Sequence, residues 1–287
     1  MSKIVVTGSL HYDIMIDAHH RPEKGETVTG TRYACKFGGK GGNQAISAAR
    51  AGADVTFVGA VGADEQGKFL LDALQQARVD TRYVAVIAAQ PSGMSVAISD
   101  IGGDYGAVVV SNANQFIDCE PFSTEAFWQE VSMLVLQNEI PEAVNLQAAR
   151  EAKKRNIPVS LNAAPARDLS EALQECIDLL VVNAIEARDM SQVVVGDLAS
   201  ARLAAETLAQ RYPSVVVTAG EHGVAFCEAG SGGQSLPAQK VKLISTHGAG
   251  DCFMGVLCTS LSHNLSLMEA VTRANQAAAA HVSGAGQ

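Results

Sequence analysis

Short apolar stretches alternate with amphipathic ones along most of this chain, and this alternation constrains the fold more than any other feature. Residues 3–8 have the composition of a buried strand, and the alternation resumes after Phe122. Strands are predicted near 132–137, 157–162, 178–182 and 214–218, and helices near 142–154, 168–176, 185–190 and 198–210. Buried strands that alternate with helices are typical of parallel sheets. The sequence therefore predicts an α/β fold.

One long segment interrupts this alternation. Residues 80–111 switch to short alternating strands broken by turns, a pattern typical of antiparallel pairing. Together with residues 12–36, this segment would form a small sheet in two pieces, and covering a binding site is the natural use for it. No low-complexity linker divides the chain. We therefore predict one domain, 1–287, with a lid formed by about 12–36 and 82–111.

The segment 245–255, Ser-Thr-His-Gly-Ala-Gly-Asp-Cys-Phe-Met-Gly, combines small residues with a carboxylate. It follows residues 241–244, which read as a strand or strand end, and it opens a helix predicted over 249–261. Small residues at such a junction leave backbone N–H groups accessible at the positive end of the helix dipole. An anion cradle beside Asp251 fits phosphoryl transfer, in which amides hold developing charge and the carboxylate accepts a hydroxyl proton. The alternative interpretation is an ordinary helix N-terminus, where an acidic residue is favoured by the helix dipole.

Charge and composition argue against several classes of protein. The chain has 21 Lys and Arg against 30 Asp and Glu, a net charge of −9, and no basic block, so no nucleic-acid partner is expected. No signal peptide and no apolar run of membrane-spanning length are found, so we expect no membrane partner and predict a cytoplasmic location. The six cysteines show no Cys-x-x-Cys spacing and are interpreted as reduced thiols.

A glycine-rich segment at 38–45, Gly-Gly-Lys-Gly-Gly-Asn-Gln-Ala, opens a second predicted helix. It fails the Walker pattern because Gly41 follows Lys40. No dinucleotide fingerprint follows the first strand, which disfavours a nicotinamide oxidoreductase. The glycines still allow a ligand to approach the backbone closely. Because α/β sheets bind ligands at the carboxyl ends of their strands, polar residues at several predicted strand ends indicate one cleft.

Together these motifs resemble the ribokinase-like (PfkB) family of sugar kinases. Segment 38–45 resembles its Gly-Gly-Lys-Gly-x-Asn-x-Ala signature, and segment 245–255 resembles its Asp-Thr-Thr-Gly-Ala-Gly-Asp-x-Phe-x-Gly signature. The resemblance covers essentially the whole chain. It implies a doubly wound, mostly parallel sheet with a β lid, and a homodimer joined through the lids. It also implies transfer of the γ-phosphoryl group of ATP, with Mg²⁺, to a primary hydroxyl of a ribose-like sugar. A nucleoside kinase, a kinase of another sugar and a non-catalytic sugar-binding relative are the alternatives.

The resemblance also implies roles for individual residues. Asp251 would be the base, and the residues whose amides face the transferring phosphoryl group would be Gly248, Ala249 and Gly250. The implied substrate contacts are His11, Asp13, Gly39, Lys40, Asn43 and Glu139. The implied nucleotide contacts are Asn183, Thr218, Gly220, Gly223 and Asn275. Glu186 would lie near the water shell of the metal.

Three residues depart from the family pattern. His11 stands where ribokinases have Asn, and it would either face the sugar or point away into the lid hinge. If it lines the pocket, we expect a larger or differently hydroxylated relative of ribose as substrate. Ala184 replaces an acidic residue, which weakens the expected metal positioning. Ser245 replaces the Asp that holds a monovalent cation. Because a neutral hydroxyl is a poor cation ligand, we expect activation by potassium to be weak or absent.

Overall fold

The computed structural model describes residues 2–102 and 105–284. Its strands are β1 (Lys3–Thr7), β2 (His11–Ala18), β3 (Gly30–Gly38), β4 (Asp54–Gly62), β5 (Asp80–Ile87), β6 (Met94–Ser99), β7 (Tyr105–Val110), β8 (Val131–Gln137), β9 (Val159–Asn162), β10 (Leu179–Asn183), β11 (Ser214–Thr218), β12 (Gly223–Glu228) and β13 (Gln234–Pro237). Its helices are α1 (Lys40–Arg50), α2 (Glu65–Gln76), α3 (Glu125–Trp128), α4 (Glu142–Lys154), α5 (Glu171–Gln174), α6 (Ala184–Ser191), α7 (Leu198–Leu208), α8 (Ala249–Ser262) and α9 (Leu267–Val282).

Within those residues, the large sheet has nine strands in the order β13-β12-β11-β10-β9-β8-β1-β4-β5. All neighbouring pairs from β11 to β5 are parallel, and β12 and β13 add an antiparallel edge. The chain runs outward from β1 to β4 and β5, and then returns to β8 on the other side of β1. The order of the strands therefore reverses between β1 and β8, and this reversal opens a crevice at their carboxyl ends.

Apolar side chains cover both faces of the large sheet. In β1, Val5 packs into one buried cluster, while Ile4 and Val6 pack into the other. Helices α3 to α7 contribute to the first cluster, and α1, α2, α8 and α9 contribute to the second. A strand buried on both faces must be apolar throughout, which explains why the first strand was recognisable from sequence. The predicted doubly wound α/β fold with a mostly parallel sheet and a smaller separate sheet is confirmed.

In the described part of the chain, a smaller sheet has four strands in the order β3-β2-β6-β7. The predicted lid boundary at residue 82 is wrong, because residues 82–87 belong to β5, which pairs in parallel with β4 in the large sheet. β5 is an edge strand in which Tyr83 packs on the core while Val86 is 56% exposed. Its alternation of buried and exposed residues therefore resembles the pattern expected of a strand in the small sheet. Residues 103 and 104 of the predicted lid lie outside the described residues.

The segment before α8 also differs from the prediction. Residues 241–244 form no strand, and Leu243 and Ile244 are 62% and 69% exposed. Ile244 and Ser245 both direct their backbone N–H groups to the carbonyl oxygen of Val282 at the end of α9. Apolar composition alone suggested a strand or strand end here, but in the described part of the chain neither sheet includes these residues. Among the described residues, no helix is both long enough and apolar enough to cross a bilayer.

Candidate active site

The carboxyl ends of β1 and β8 meet at the reversal point of the large sheet. Ser9 follows β1, and its hydroxyl donates to Oε2 of Glu139, which follows β8. The same Oε2 accepts a hydrogen bond of 2.8 Å from the backbone N–H of Lys40, the first residue of α1. His11 Nδ1 lies 3.9 Å from Oε2. Three segments far apart in sequence therefore converge on one carboxylate.

Gly39 allows the glycine-rich segment to lie against the turn between β1 and β2. Its φ of 91° belongs to the left-handed region, and a Cβ at this position would come within 2.7 Å of the carbonyl oxygen of Ser9. A larger residue would be strained and would clash with the backbone. This close approach places the N-terminus of α1 at the crevice, so that Lys40, Asn43 and Gln44 face it together.

Asp13 lies on β2 and is 7% exposed. Its Oδ1 accepts a hydrogen bond of 2.5 Å from the hydroxyl of Ser95, which stands directly opposite on β6. Burial raises the pKa of the Asp13 carboxyl, while the Ser95 hydrogen bond opposes that shift. His247 is exposed, yet it lies close enough for its charge to lower the same pKa.

His11 shares the strand face of Asp13 and is 3% exposed. Its Nε2 has no hydrogen-bond partner among the described residues. The ring packs beside Gly93, where a Cβ would come within 2.8 Å of His11 Cδ2. The imidazole therefore occupies the space between Gly93 and Glu139.

Asp251 lies in the first turn of α8 and is 9% exposed. Its Oδ2 accepts from Asn43 Nδ2 at 3.3 Å, and its Oδ1 accepts from Gln44 Nε2 at 3.0 Å. Burial raises the pKa of this carboxyl, and the nearby positive charge of Lys40 opposes the rise. Glu139 raises the pKa further because it is a like charge. The structure thus brings Asp251 together with Lys40, Asn43 and Glu139.

The predicted anion cradle precedes Asp251. Gly248 has a φ of 75°, and its carbonyl accepts from the N–H of Cys252 at 2.9 Å. The N–H of Ala249 donates to the Thr246 carbonyl at 3.2 Å, so one of the three predicted amides takes part in a turn in this structure. A Cβ at Gly250 would meet nothing within 4 Å, so the space beside it is open. The first N–H groups of a helix have no partner within the helix and remain suited to anions.

The residues implied for nucleotide binding lie along the neighbouring strand ends. Asn183 ends β10 and is paired in register with Thr218, which ends β11. Gly220 lies in the turn that follows and Gly223 begins β12, with φ values of 56° and 120°, and β11 and β12 form an antiparallel hairpin. Asn275 on α9 donates to the carbonyl oxygen of Pro237 at 3.0 Å.

Comparison with known proteins identifies the family. The family model described as pfkB family carbohydrate kinase matches residues 1–287. The chain belongs to this family. It is 34% identical to the ribokinase of Haemophilus influenzae over 279 residues, which cover 96% of this chain and 90% of that one. The resemblance seen in the sequence is confirmed.

Two solved structures are similar to this pfkB-family kinase over nearly its full length. The ribokinase of Arabidopsis thaliana, complexed with ribose and ATP, superposes with a TM-score of 0.89 at 26% identity, covering 98% of this chain and 92% of that one. The ribokinase of Cryptococcus neoformans, in complex with ADP, superposes with a TM-score of 0.88 at 27% identity, covering 98% and 93%. The protein is therefore a sugar kinase, and the oxidoreductase alternative is wrong.

The contacts of Glu186 in this kinase are those of a helix cap. Its two carboxylate oxygens accept from the backbone N–H and the Nδ2 of Asn183, while Asn183 Oδ1 accepts from the N–H of Glu186. Glu186 is 5% exposed, and burial raises the pKa of its carboxyl. Among the described residues, no three His, Cys, Asp or Glu side chains cluster in a way that could hold a metal.

Sequence reasoning missed three residues that the structure brings to the pocket of this kinase. Gln44 and Ser95 hydrogen-bond to Asp251 and Asp13, and His247 acts on Asp13 through its charge. Gln44 carried a signal, because it is a polar residue on the same face of α1 as the buried Ala45 and Ala48. Ser95 carried none, since hydroxyl residues on strands are usually ordinary surface residues.

Proposed function

We propose that this sugar kinase transfers the γ-phosphoryl group of ATP to a primary hydroxyl of a ribose-like sugar, with Asp251 as the base. The observation that carries the proposal is the buried carboxylate of Asp251 beside the N-terminus of α8, within the same cluster as Lys40, Asn43 and Glu139. The relatives add support, since one similar ribokinase was solved with ribose and ATP.

The chemistry needs one proton acceptor. As the sugar oxygen bonds to the γ-phosphorus, its proton passes to Oδ2 of Asp251, and the bond to the leaving oxygen of ADP breaks. A base works best when its pKa lies near the working pH, and burial shifts that of Asp251 upward from its ordinary value. Amides around Gly250 would stabilise the charge on the transferring group.

We further propose that Mg²⁺ accompanies ATP. Mg²⁺ usually retains several waters and binds one or two carboxylates together with substrate phosphates, so the absence of an all-protein cluster among the described residues fits it. Glu186 would accept hydrogen bonds from its water shell, with Asn183 holding the carboxylate in place. Bound Mg²⁺ would neutralise part of the phosphate charge. Asn183, Thr218, Gly220, Gly223 and Asn275 are proposed to contact the nucleotide.

The sugar would contact Asp13, Gly39, Lys40, Asn43 and Glu139. Because Oε2 of Glu139 is already engaged by Ser9 and Lys40, its Oε1 is the oxygen left to accept a substrate hydroxyl. His11 fills space beside this carboxylate and offers hydrogen-bonding nitrogens in fixed directions. We propose that the preferred substrate has a different hydroxyl pattern from D-ribose. A nucleoside is the alternative substrate.

The variant His11→Asn is expected to raise kcat/KM for D-ribose by about tenfold, because an amide is smaller and can both donate and accept toward vicinal hydroxyls. Coupled detection of ADP across a panel of pentoses, hexoses and nucleosides would measure this change and identify the substrate of the wild-type protein. His20→Asn is a suitable control, since His20 is exposed and hydrogen-bonds to Glu26 away from the pocket.

A wild-type preference for ribose over every other compound on the panel would contradict the role given to His11. Failure to consume ATP with any compound would contradict the proposed function itself. Faster turnover of nucleosides than of free sugars would favour the nucleoside kinase alternative.

We also propose a homodimer joined through the lid. The outer strands of the small sheet carry large exposed side chains, including Tyr33 on β3, 72% exposed, and Val108 on β7, 68% exposed. Exposed apolar groups on edge strands invite pairing with another chain. Sedimentation equilibrium should therefore give twice the chain mass, and Val108→Asp should give one chain mass. A monomeric wild-type protein at micromolar concentration would refute this arrangement.

A further inference from the structure

A chain of buried amide groups connects Asp251 to the interior of the large sheet. Gln44 Nε2 donates to Asp251 Oδ1 and to Asn162 Oδ1, both at 3.0 Å. Gln44 Oε1 in turn accepts from Gln137 Nε2 at 2.9 Å. Gln44 and Gln137 are both fully buried. Membership in the family does not by itself explain why these amide side chains are buried next to Asp251.

Close packing of α1 on α8 brings Gln44 to Asp251. Gly255 lies one turn after Asp251, and a Cβ there would come within 2.5 Å of Ser47 Cβ and 2.7 Å of the backbone nitrogen of Ala48. Only glycine permits the two helices to approach this closely. The distance between Gln44 and Asp251 is therefore set by the helix interface, which is more rigid than a loop.

The neighbours of Gln44 determine which end of its amide faces Asp251. Asn162 uses its Nδ2 to donate to the carbonyl oxygen of Val181 at 3.2 Å, which leaves its Oδ1 to accept. Gln137 offers its Nε2 to the other end of the Gln44 amide. A flipped Gln44 would direct its oxygen at two acceptors, an arrangement that leaves buried groups unpaired. The NH₂ group is therefore held toward Asp251.

We propose that Gln44 is a positioning residue that holds the Asp251 carboxylate in its ionised form and in a fixed orientation, an inference that rests on the proposed function of Asp251 as base. A carboxylate is an acceptor only, so a fixed donor favours it over the protonated acid.

Other charged and polar groups also act on Asp251. Lys40 and Asn43 on α1 favour the ionised carboxylate, Glu139 after β8 opposes it, and the thiol of Cys252 adjoins it on α8. Burial raises the pKa of Asp251 and is the largest influence, while Gln44 and Lys40 oppose it. Without the Gln44 donor, fewer contacts oppose the effect of burial on the pKa of Asp251. The pKa of Asp251 should then rise further.

The variant Gln44→Met tests this role because it keeps the size of the side chain and removes the amide. We expect the acid limb of the pH profile of kcat/KM to move up by about one pH unit, since a hydrogen bond to a charged group is worth roughly that much. Activity should recover in part at alkaline pH. If Gln44→Met does not fold, Gln44→Glu places a second carboxyl beside Asp251 and should move the acid limb in the same direction.

Thr259→Val is the matched control. Thr259 is 2% exposed in the same interface, where its hydroxyl donates to the Gly255 carbonyl at 2.8 Å and the Ala48 carbonyl at 3.3 Å, and it does not touch Asp251. This variant should lose some stability and keep the wild-type pH profile. An unchanged acid limb in Gln44→Met, or an equal shift in Thr259→Val, would overturn the proposal. Full activity of Asp251→Asn would instead refute the proposed base, so the two failures are distinguishable.

Urea unfolding provides a readout that does not depend on turnover. The unfolding midpoint of Gln44→Met should fall more at pH 8, where a larger fraction of Asp251 is charged, than at pH 5, where more of it is protonated. Adding Asp251→Asn to Gln44→Met should remove this difference between the two pH values. An equal fall at both pH values would show that Gln44 only fills space.

Discussion

Asp251→Asn is expected to lower kcat by at least about 10²-fold, because that is the typical contribution of a general base. Asn keeps the shape of the side chain but cannot accept the hydroxyl proton. The affinity for ATP should change little, since no proposed nucleotide contact involves this side chain. Steady-state kinetics and calorimetric titration with ATP would measure both quantities.

The stability of the same variant relative to the wild type should depend on pH. Burial raises the pKa of Asp251 in the folded protein. A carboxyl with a raised folded pKa stabilises the fold in its protonated form, and this contribution is lost as the pH rises through the folded pKa. Asn is neutral throughout, but its NH₂ group must face one of the two amide donors that Asp251 accepts from, which lowers the Tm at every pH. Because only the wild type loses stability as the carboxyl ionises, the Tm deficit of Asp251→Asn should be smaller at pH 8 than at pH 5.

Glu65→Gln serves as the control, because Glu65 is also in the first turn of a helix but is exposed and is not one of the proposed site residues. It should retain wild-type kcat. Retention of more than about a tenth of wild-type kcat by Asp251→Asn would show that another group takes the proton.

Lys40→Met should lower kcat/KM by about 10²-fold or more, comparable to the loss of one donor that stabilises transition-state charge. Lys40 is the cation that favours the ionised forms of both Asp251 and Glu186. Without it, the pKa of both carboxyls should rise, so the acid limb of the activity profile should move upward. Part of the activity should return at alkaline pH.

Two further variants separate charge from geometry at this position. Lys40→Arg keeps the charge and should keep the wild-type acid limb, even if the larger guanidinium lowers the rate. Lys68→Met removes an exposed lysine of α2 and should change neither quantity. If Lys40→Met showed a normal rate and an unshifted profile, Lys40 would not act on these carboxylates.

The periodicity of side chains was enough to predict most of the elements. The strand predicted at 214–218 and the helix at 142–154 coincide with β11 and α4. Both have a local cause, since apolar runs and helical spacing are properties of neighbouring residues. Predictions were wrong where an element lies at the edge of a sheet, as in β5, or where neither sheet of the described residues includes the segment, as at 241–244.

By itself, the sequence determined the fold class, the family and the positions of Lys40, Asn43 and Asp251, because short motifs carry this information within a few residues. The tertiary structure alone decided which side chains support those residues. Gln44 and Asp251 are 207 positions apart, and Ser95 and Asp13 are 82 positions apart. Such pairs arise from helix packing and strand register, which depend on the whole chain. The buried hydrogen bonds that tune Asp251 and Asp13 could therefore be found only after the chain was folded.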